Sequence, residues 1–177
     1  MDDLLQTSHF SSHQKKVFQY KSPFEWFLEA DKVLGDYPCI LAVLSEGITD
    51  TKWVEYIKRN IYRYKIELHG SAHLKYIGMS KDELLRDLSE AISKIEGTFG
   101  QKITTWYVPF GRKNIPACGD EVCDILGIKM DRPTRKILPY YWLRYKDFNQ
   151  VNFHFYDEIQ IRQVEAIING LDIRRKI

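Results

Sequence analysis

The sequence lacks any long hydrophobic run, since none of its apolar stretches approaches the roughly 20 residues that a membrane-spanning helix requires. Its first residues, Met-Asp-Asp, also lack the features of a signal peptide. Net charge is low as well: 26 Lys and Arg against 24 Asp and Glu leave +2. So small an excess does not indicate nucleic acid or a membrane surface as a partner. From these absences we expect a cytoplasmic protein without a transmembrane segment.

Cysteine is scarce too, with Cys39, Cys118 and Cys123 making an odd number and no C-x-x-C pair. This usage fits a reducing compartment better than a disulfide framework, and the thiols are best interpreted as small buried residues. Internal repeats, low-complexity tracts and linkers are absent. With 177 residues, 44% of them hydrophobic and 28% charged, the composition predicts a single globular domain over residues 1–177.

Local signals indicate where helices begin and end. Ser22-Pro23-Phe24-Glu25 combines an N-cap, a proline at the first helical position and a glutamate three residues after the cap, and Gly35 ends that helix. A second capping box, Ser80 to Glu83, opens a long amphipathic helix that Gly97 closes. Residues 38–44 form a continuous apolar run, which is typical of a parallel strand buried on both faces.

The remaining signals alternate in the same way. They predict a helix capped by Thr49 or Asp50, helices over 120–126 and 158–169, and strands over 65–68, 103–108, 127–130 and 151–155. Residues 1–21 and 131–150 are predicted to be irregular, the latter with at most one strand. Strands that alternate with helices predict an α/β fold with a parallel sheet, whose chemistry collects at the carboxyl ends of the strands.

Two histidines follow one of these predicted strand ends. His69 and His73 are separated by Gly-Ser-Ala, and Gly70 allows the backbone to turn sharply as it leaves the strand. Two imidazoles on one tight turn can converge on a single metal ion, because histidine is the commonest metal ligand. From spacing alone, two ordinary surface histidines are an equally good interpretation.

The order of the motifs resembles the polysaccharide deacetylase family, the carbohydrate esterases with a NodB-homology domain. The resemblance is carried by His69-Gly-Ser-Ala-His73, the loop Tyr107-Val-Pro-Phe-Gly111, the late segment Asn-Phe-His154-Phe and the acidic pair Asp2-Asp3. It implies a distorted (β/α) barrel of parallel strands wrapped by helices. The barrel would be incomplete, because the strand that should precede Asp2-Asp3 is missing, through either a late start codon or loss of the strand.

The resemblance also implies a catalytic constellation. Asp3, His69 and His73 would bind one divalent metal ion, Zn²⁺ in the first place and Co²⁺, Mn²⁺ or Ni²⁺ as alternatives. Asp2 would be the general base that takes a proton from water, and His154 the general acid that protonates the departing amine. Without the resemblance, Asp2-Asp3 is better interpreted as a solvated terminus and His154 as a core histidine.

The substrate implied is an N-acetylated sugar or glycan, from which the enzyme would remove the acetyl group. The residues expected to contact it are Tyr107, Pro109, Phe110 and Trp142, with the backbone N–H of Phe110 placed to bind the oxyanion. Aromatic faces suit the apolar surface of a sugar ring, although core packing explains at least half of the aromatic residues in this part of the sequence.

One residue departs from the family pattern. Tyr107 stands where the family has an arginine that orients the catalytic aspartate, and Arg112 or Arg144 would have to replace that cation. The departure leaves two alternatives open. One is a non-catalytic carbohydrate-binding relic of the deacetylase fold. The other is a metal-dependent hydrolase of a non-sugar amide or an O-acetyl ester.

Overall fold

The computed structural model describes residues 5–6, 12–131, 155, 158, 161–162, 164–166 and 168–169, with the backbone alone at residue 13. In chain order the helices and strands are α1 (Ser12–Val17), α2 (Pro23–Leu34), β1 (Cys39–Leu44), α3 (Thr51–Arg59), β2 (Tyr64–Gly70), α4 (Lys81–Phe99), β3 (Thr105–Tyr107), α5 (Gly119–Leu126) and β4 (Lys129–Asp131). Short 3₁₀ turns occupy Ser45–Thr49, Ile61–Arg63 and Gly111–Asn114. The described residues within 158–169 are helical, as predicted.

The four strands form one parallel sheet in the order β1-β2-β3-β4. Its register pairs Leu41 with Ile66, and Leu68 with Trp106. Strand order therefore equals chain order, without the reversal that defines a doubly wound sheet, and this is the sequence of strands found in a (β/α) barrel. The predicted fold class, an α/β fold of parallel strands wrapped by helices, is confirmed.

The capping signals act as the sequence indicates. The backbone N–H of Ser22 donates to the Glu25 carboxylate at 2.9 Å, and the Glu25 N–H donates back to the Ser22 hydroxyl at 3.3 Å. Ser80 and Glu83 repeat the arrangement at the start of α4. Both boxes satisfy backbone donors that the first helical turn leaves without partners. Helices α2 and α4 therefore begin where the two capping boxes predict.

Two helical features differ from the expectation. Residues 12–17 form the short helix α1 inside the segment predicted to be irregular. Helix α4 continues past Gly97 to Phe99, and Gly100 caps it with a φ of +68°. Burial of Phe99, which is 7% exposed, extends the helix by two residues, because apolar contact outweighs the modest helix penalty of one glycine.

Strand bounds also differ from the predictions, since β2 spans Tyr64–Gly70 rather than 65–68 and β4 spans Lys129–Asp131 rather than 127–130. Strand β3 covers three residues rather than the six predicted. The Glu67 carboxylate accepts the backbone N–H groups of Thr104 and Thr105 at 2.9 and 2.8 Å, so a side chain takes the place of ladder hydrogen bonds there. Of the strand predicted over 151–155, the described residue, Phe155, lies in a turn; the other four lie outside the described residues.

The core lies on both sides of the sheet, because β1 and β2 are buried almost throughout. Helix α4 packs on β2, while α2 and α3 join through a cluster of aromatic rings. The fully buried residues of the core include Phe27, Leu41, Val43, Ile57, Ile66, Leu68, Leu84, Leu88, Ile95 and Trp106. Among the helices that the structure describes, none could span a bilayer.

A buried carboxylate ties α2 and α3 to the amino end of β2. Asp31, 3% exposed, accepts hydrogen bonds from the hydroxyls of Tyr56 and Tyr64 at 2.7 and 2.6 Å and from two nitrogens of Arg63 at 3.1 Å each. Burial, together with the hydrogen bond to Asp31 and its charge, raises the pKa of Tyr56 to about 12 and the pKa of Tyr64 further. The folded state thus favours both phenols in their neutral form.

We expect the protein to lose stability at alkaline pH through this cluster. A group whose pKa is raised on folding contributes stability that is intact below its unfolded pKa, about 10 for tyrosine, and is lost as pH rises through the folded value. The free energy of unfolding from denaturant titrations should therefore fall between pH 10 and about 12. Tyr56→Phe should reduce that slope, and Tyr62→Phe, at a ring 79% exposed, is the control. An equal slope in all three proteins would contradict the assignment.

Candidate functional site

The two histidines lie together at the carboxyl end of β2. His69 is its penultimate residue and is 4% exposed, whereas His73 follows in the next turn and is partly exposed. Their ring centroids are 5.6 Å apart and their planes differ by 30°. At its carboxyl end the strand runs two residues further than the predicted 65–68, so β2 itself, rather than the turn, fixes the first of the two rings.

A backbone oxygen selects the tautomer of His69. Its Nδ1 lies 2.6 Å from the carbonyl oxygen of Tyr107, at the end of the neighbouring strand β3. A carbonyl only accepts, so Nδ1 carries the proton and the lone pair of the neutral ring resides on Nε2. Histidines that bind metals almost always donate their other ring N–H in this way. A metal ligand needs this neutral tautomer, in which the unprotonated Nε2 can bind the ion.

The spacing of the rings also fits one ion between them. A ligating nitrogen lies about 2.1 Å from zinc, which places two ligating rings roughly 4.5–6 Å apart between their centres. The observed 5.6 Å falls in that range. Among the described residues no group of three His, Cys, Asp or Glu side chains is close enough to hold a metal. By their ring separation, His69 and His73 fit as two ligands of one ion. The third predicted ligand, Asp3, lies outside the described residues.

The loop after β3 places an exposed aromatic ring against His73. Phe110 is 57% exposed, and its ring centroid lies 4.2 Å from that of His73. Its backbone is left-handed, with φ at +59° and ψ at 7°, a conformation that costs a non-glycine residue about 1–3 kcal/mol and persists mainly at functional sites. Pro109, just before it, is buried. Backbone strain and an exposed ring beside His73 make Phe110 a candidate functional residue.

Asn114 fastens this loop to the histidine turn. The residue is 3% exposed, and its side chain makes four hydrogen bonds. Its Oδ1 accepts from the N–H groups of Tyr76 and Ile77 at 2.7 and 3.2 Å, and its Nδ2 donates to the carbonyls of Leu74 and Pro109 at 2.9 and 3.0 Å. This amide uses its full hydrogen-bonding capacity. Sequence reasoning missed it, yet it sets the position of one loop relative to the other.

A second polar cluster holds the first half of the turn. The Ser71 hydroxyl and the Tyr76 phenol both donate to Asp87 of α4, at 2.5 and 3.0 Å. Burial and the charge of Asp87 raise the pKa of Tyr76, which therefore stays a donor. Gly70 has a φ of +142°, and a Cβ on it would lie 2.2 Å from the Tyr76 hydroxyl. Only glycine fits at that position.

Leu5 lies at the same end of the sheet. Leu5 is 2% exposed, and a Cβ built on Gly47, in the turn after β1, would lie 2.1 Å from its carbonyl oxygen. The neighbouring Glu46 donates its backbone N–H to the carbonyl of Ser71 at 2.8 Å. One continuous set of contacts thus runs from Leu5 through the turn after β1 to the histidine turn.

This close approach makes Gly47 sensitive to substitution. Gly47→Ala should lower the free energy of unfolding by about 1–3 kcal/mol, because the added methyl group must displace the Leu5 backbone. Gly97→Ala, inside α4 with nothing within 4 Å of the new Cβ, should raise it by about 0.5–1 kcal/mol. Urea titrations of both variants measure the difference. Unchanged stability in Gly47→Ala would refute the contact.

The predicted site residues divide into two sets. The structure brings together His69, His73, Tyr107, Pro109 and Phe110. The other predicted site residues, Asp2, Asp3, Trp142 and His154, lie outside the described residues. The structure shows the Tyr107 carbonyl in contact with His69, whereas the contact of Tyr107 with substrate stays a prediction.

No protein-family model matches the sequence, and no curated protein matches it. Solved structures do. The Xyl-CE4 domain of a multidomain xylanase, from the hindgut metagenome of Trinervitermes trinervoides, has a TM-score of 0.53 at 10% identity over 84% of this chain and 78% of its own. The family 4 carbohydrate esterase of Streptomyces lividans, in complex with acetate, has 0.50 at 15% over 61% and 54%.

A third similar structure is that of a BA3943 mutant. BA3943 is a CE4 family pseudoenzyme from Bacillus anthracis, and the mutant has restored enzymatic activity. Its TM-score is 0.52 at 14% identity, over 60% of this chain and 39% of its own. The chain thus spans about two fifths of that protein's length. At such identities the likeness shows the fold alone. The resemblance to CE4 polysaccharide deacetylases that the motifs indicate is confirmed at that level.

Proposed function

We propose that the protein is a metal-dependent hydrolase that removes the acetyl group from an N-acetylated sugar. The observation that carries the proposal is the pair of imidazoles at the carboxyl end of β2, with the tautomer of His69 fixed by the Tyr107 carbonyl. A fold shared with CE4 esterases supports it. The acetate bound to the Streptomyces lividans enzyme agrees in kind with the product proposed here.

In this proposal His69 and His73 would hold the ion, with Asp3 as the third ligand. A divalent ion held there, Zn²⁺ in the first place and Co²⁺, Mn²⁺ or Ni²⁺ as alternatives, would supply Lewis acidity and an activated water. Asp2 takes the proton of the attacking water, and His154 protonates the departing amine.

The described loops supply the remaining functions. The backbone N–H of Phe110 donates to the oxygen on which negative charge develops, and its strained conformation keeps that donor oriented before the reaction. The ring of Phe110, which is exposed beside His73, offers an apolar face to the sugar. A fixed donor of this kind costs no reorganisation when the substrate reacts, so its contribution is realised in the transition state.

Chain connectivity supports the role given to Asp3. Leu5 lies against Gly47 at the carboxyl end of the sheet, and two residues of chain span at most about 7 Å. The short separation in sequence between Leu5 and Asp3 supports Asp3 as the third ligand in this proposal. With it the site would have a two-histidine, one-carboxylate ligand set.

The test starts from protein freed of metal with a chelator. We expect acetate release from N,N′-diacetylchitobiose to appear when Zn²⁺, Co²⁺, Mn²⁺ or Ni²⁺ is added, and elemental analysis to give one bound ion per chain. Release that is independent of metal would reject the proposal. Lys94→Gln, an exposed substitution near the carboxyl end of α4, is the control for variants of the site and should release acetate as wild type does.

The second candidate is a carbohydrate-binding protein without catalysis. Tyr107, where the family pattern has arginine, favours it, and a CE4 pseudoenzyme has a similar structure. Sugar binding in calorimetry without acetate release under any of the four metals would select this candidate. Release from an O-acetyl ester or a non-sugar amide, with none from chitobiose, would instead retain the hydrolase and change its substrate.

A further inference from the structure

The two loops around the candidate site carry cations and no acidic residue. Residues 71–79 hold Lys75, and residues 108–118 hold Arg112 and Lys113, while neither segment contains Asp or Glu. The whole chain has a net charge of only +2. A local excess of three positive charges therefore stands out against a balanced sequence.

Asn114 brings these cations to one side of the site. Its side chain bonds the main chain on both sides of Lys75, at the Leu74 carbonyl and the Tyr76 N–H. Lys113 directly precedes Asn114, and Arg112 precedes Lys113. The three cationic residues thus start from backbone positions that one buried amide holds next to each other. All three are exposed.

None of the three makes an ion pair with the described residues. Other cations of the chain do so, among them Lys21, Arg63 and Lys81 with Glu29, Asp31 and Glu121. On a surface of mixed sign an acidic side chain ordinarily lies near each cation, as it does in those three pairs. An unneutralised cluster at the rim of a proposed catalytic site can attract an anionic group of the substrate, and Lys and Arg both bind phosphate well.

We propose that the acetylated sugar carries a phosphate or diphosphate group, which Lys75, Arg112 and Lys113 bind while the sugar lies against Phe110. The inference rests on the proposed deacetylase function and specifies its substrate class. Apolar surface beside the cations supports it, because Ile77 and Phe110 are 61% and 57% exposed on the same two loops. A rim of exposed apolar groups followed by cations matches a sugar ring joined to an anion.

The test compares one neutral with three anionic substrates of the metal-loaded protein. These are N,N′-diacetylchitobiose, N-acetylglucosamine 1-phosphate, UDP-N-acetylglucosamine and a short-chain polyprenyl diphosphate N-acetylglucosamine. We expect kcat/KM for at least one anionic substrate to exceed the neutral value about tenfold at low salt, and salt to screen that advantage. The preferred anionic substrate identifies the source of the phosphate: a simple ester, a nucleotide or a lipid carrier.

The double variant Lys75→Gln, Lys113→Gln should lower the ratio of anionic to neutral kcat/KM towards one, whereas Lys94→Gln should keep it. Arg112 is left unchanged, because it is a candidate for the cation that orients the catalytic aspartate. Normal acetate release from chitobiose with no anionic advantage, or an advantage that survives undiminished in the double variant, overturns this inference and leaves the proposed function standing. If no substrate releases acetate, the proposed function fails. Calorimetry with N-acetylglucosamine 1-phosphate then decides the inference alone: binding weakened in the double variant supports it, and binding unchanged in that variant or absent in wild type rejects it.

Discussion

His69→Asn should abolish metal binding and acetate release while leaving the fold intact. The asparagine amide can still donate to the Tyr107 carbonyl, as Nδ1 of His69 does, but it offers no atom in place of Nε2. The loss in kcat/KM should exceed the roughly 10–100-fold that removal of an outer-shell partner costs a metal site. Elemental analysis and an acetate assay at saturating Zn²⁺ measure the two effects.

Near-ultraviolet circular dichroism and urea titration supply the control for folding. His69→Ala removes both nitrogens and leaves a void at a residue 4% exposed, so it should lose stability as well as metal. His69→Asn should lose metal alone. Wild-type metal content together with wild-type acetate release in His69→Asn would show that this ring is not a ligand, and the proposed function would fall with it.

Asn114→Asp should lower the free energy of unfolding by about 2–4 kcal/mol at pH 7. The substitution keeps the shape of the side chain but replaces the NH₂ group, which donates to the Leu74 and Pro109 carbonyls, with an oxygen that repels them. The new charge would be buried, at a position 3% exposed. Acetate release should fall by more than the loss of folded protein explains, because the side chain at position 114 no longer holds the two loops of the site together.

The pH dependence of this variant has a definite sign. Burial raises the pKa of the introduced carboxyl in the folded state, so its penalty is absent below the unfolded value of about 3.9 and grows as pH rises through the folded value. Unfolding measured at pH 4 and pH 7 should therefore differ more for the variant than for wild type. Asn60→Asp, at a less buried amide that donates to the Tyr56 carbonyl at 2.9 Å, is the control and should cost about 1 kcal/mol or less.

What the sequence predicts correctly is local. A capping box lies within four residues, and both of them, at Ser22 and Ser80, begin helices as expected. The histidine spacing likewise predicts that the two rings lie close together, although His69 lies on strand β2 and only His73 lies on the turn. Even the error at α4 is local in origin, since Gly97 is a plausible helix end until the burial of Phe99 is known.

What the sequence does not predict is contact across long separations. Asn114 joins partners 37–40 residues earlier in the chain, and nothing in its neighbourhood distinguishes it from a solvated loop amide. Asp87 did leave a signal, because it interrupts the apolar face of α4 between Leu84 and Leu88. A charged residue at such a position requires polar partners, and the Ser71 and Tyr76 hydroxyls are those partners.

The restraint on His69 bears on how readily this site can change by mutation. Because the oxygen that orients the ring belongs to the main chain of Tyr107, exchanging the side chain at that position need not loosen it. Tyr107→Arg, which restores the residue of the family pattern, should accordingly be tolerated. Residue 107 can therefore vary without removing the hydrogen bond that orients His69.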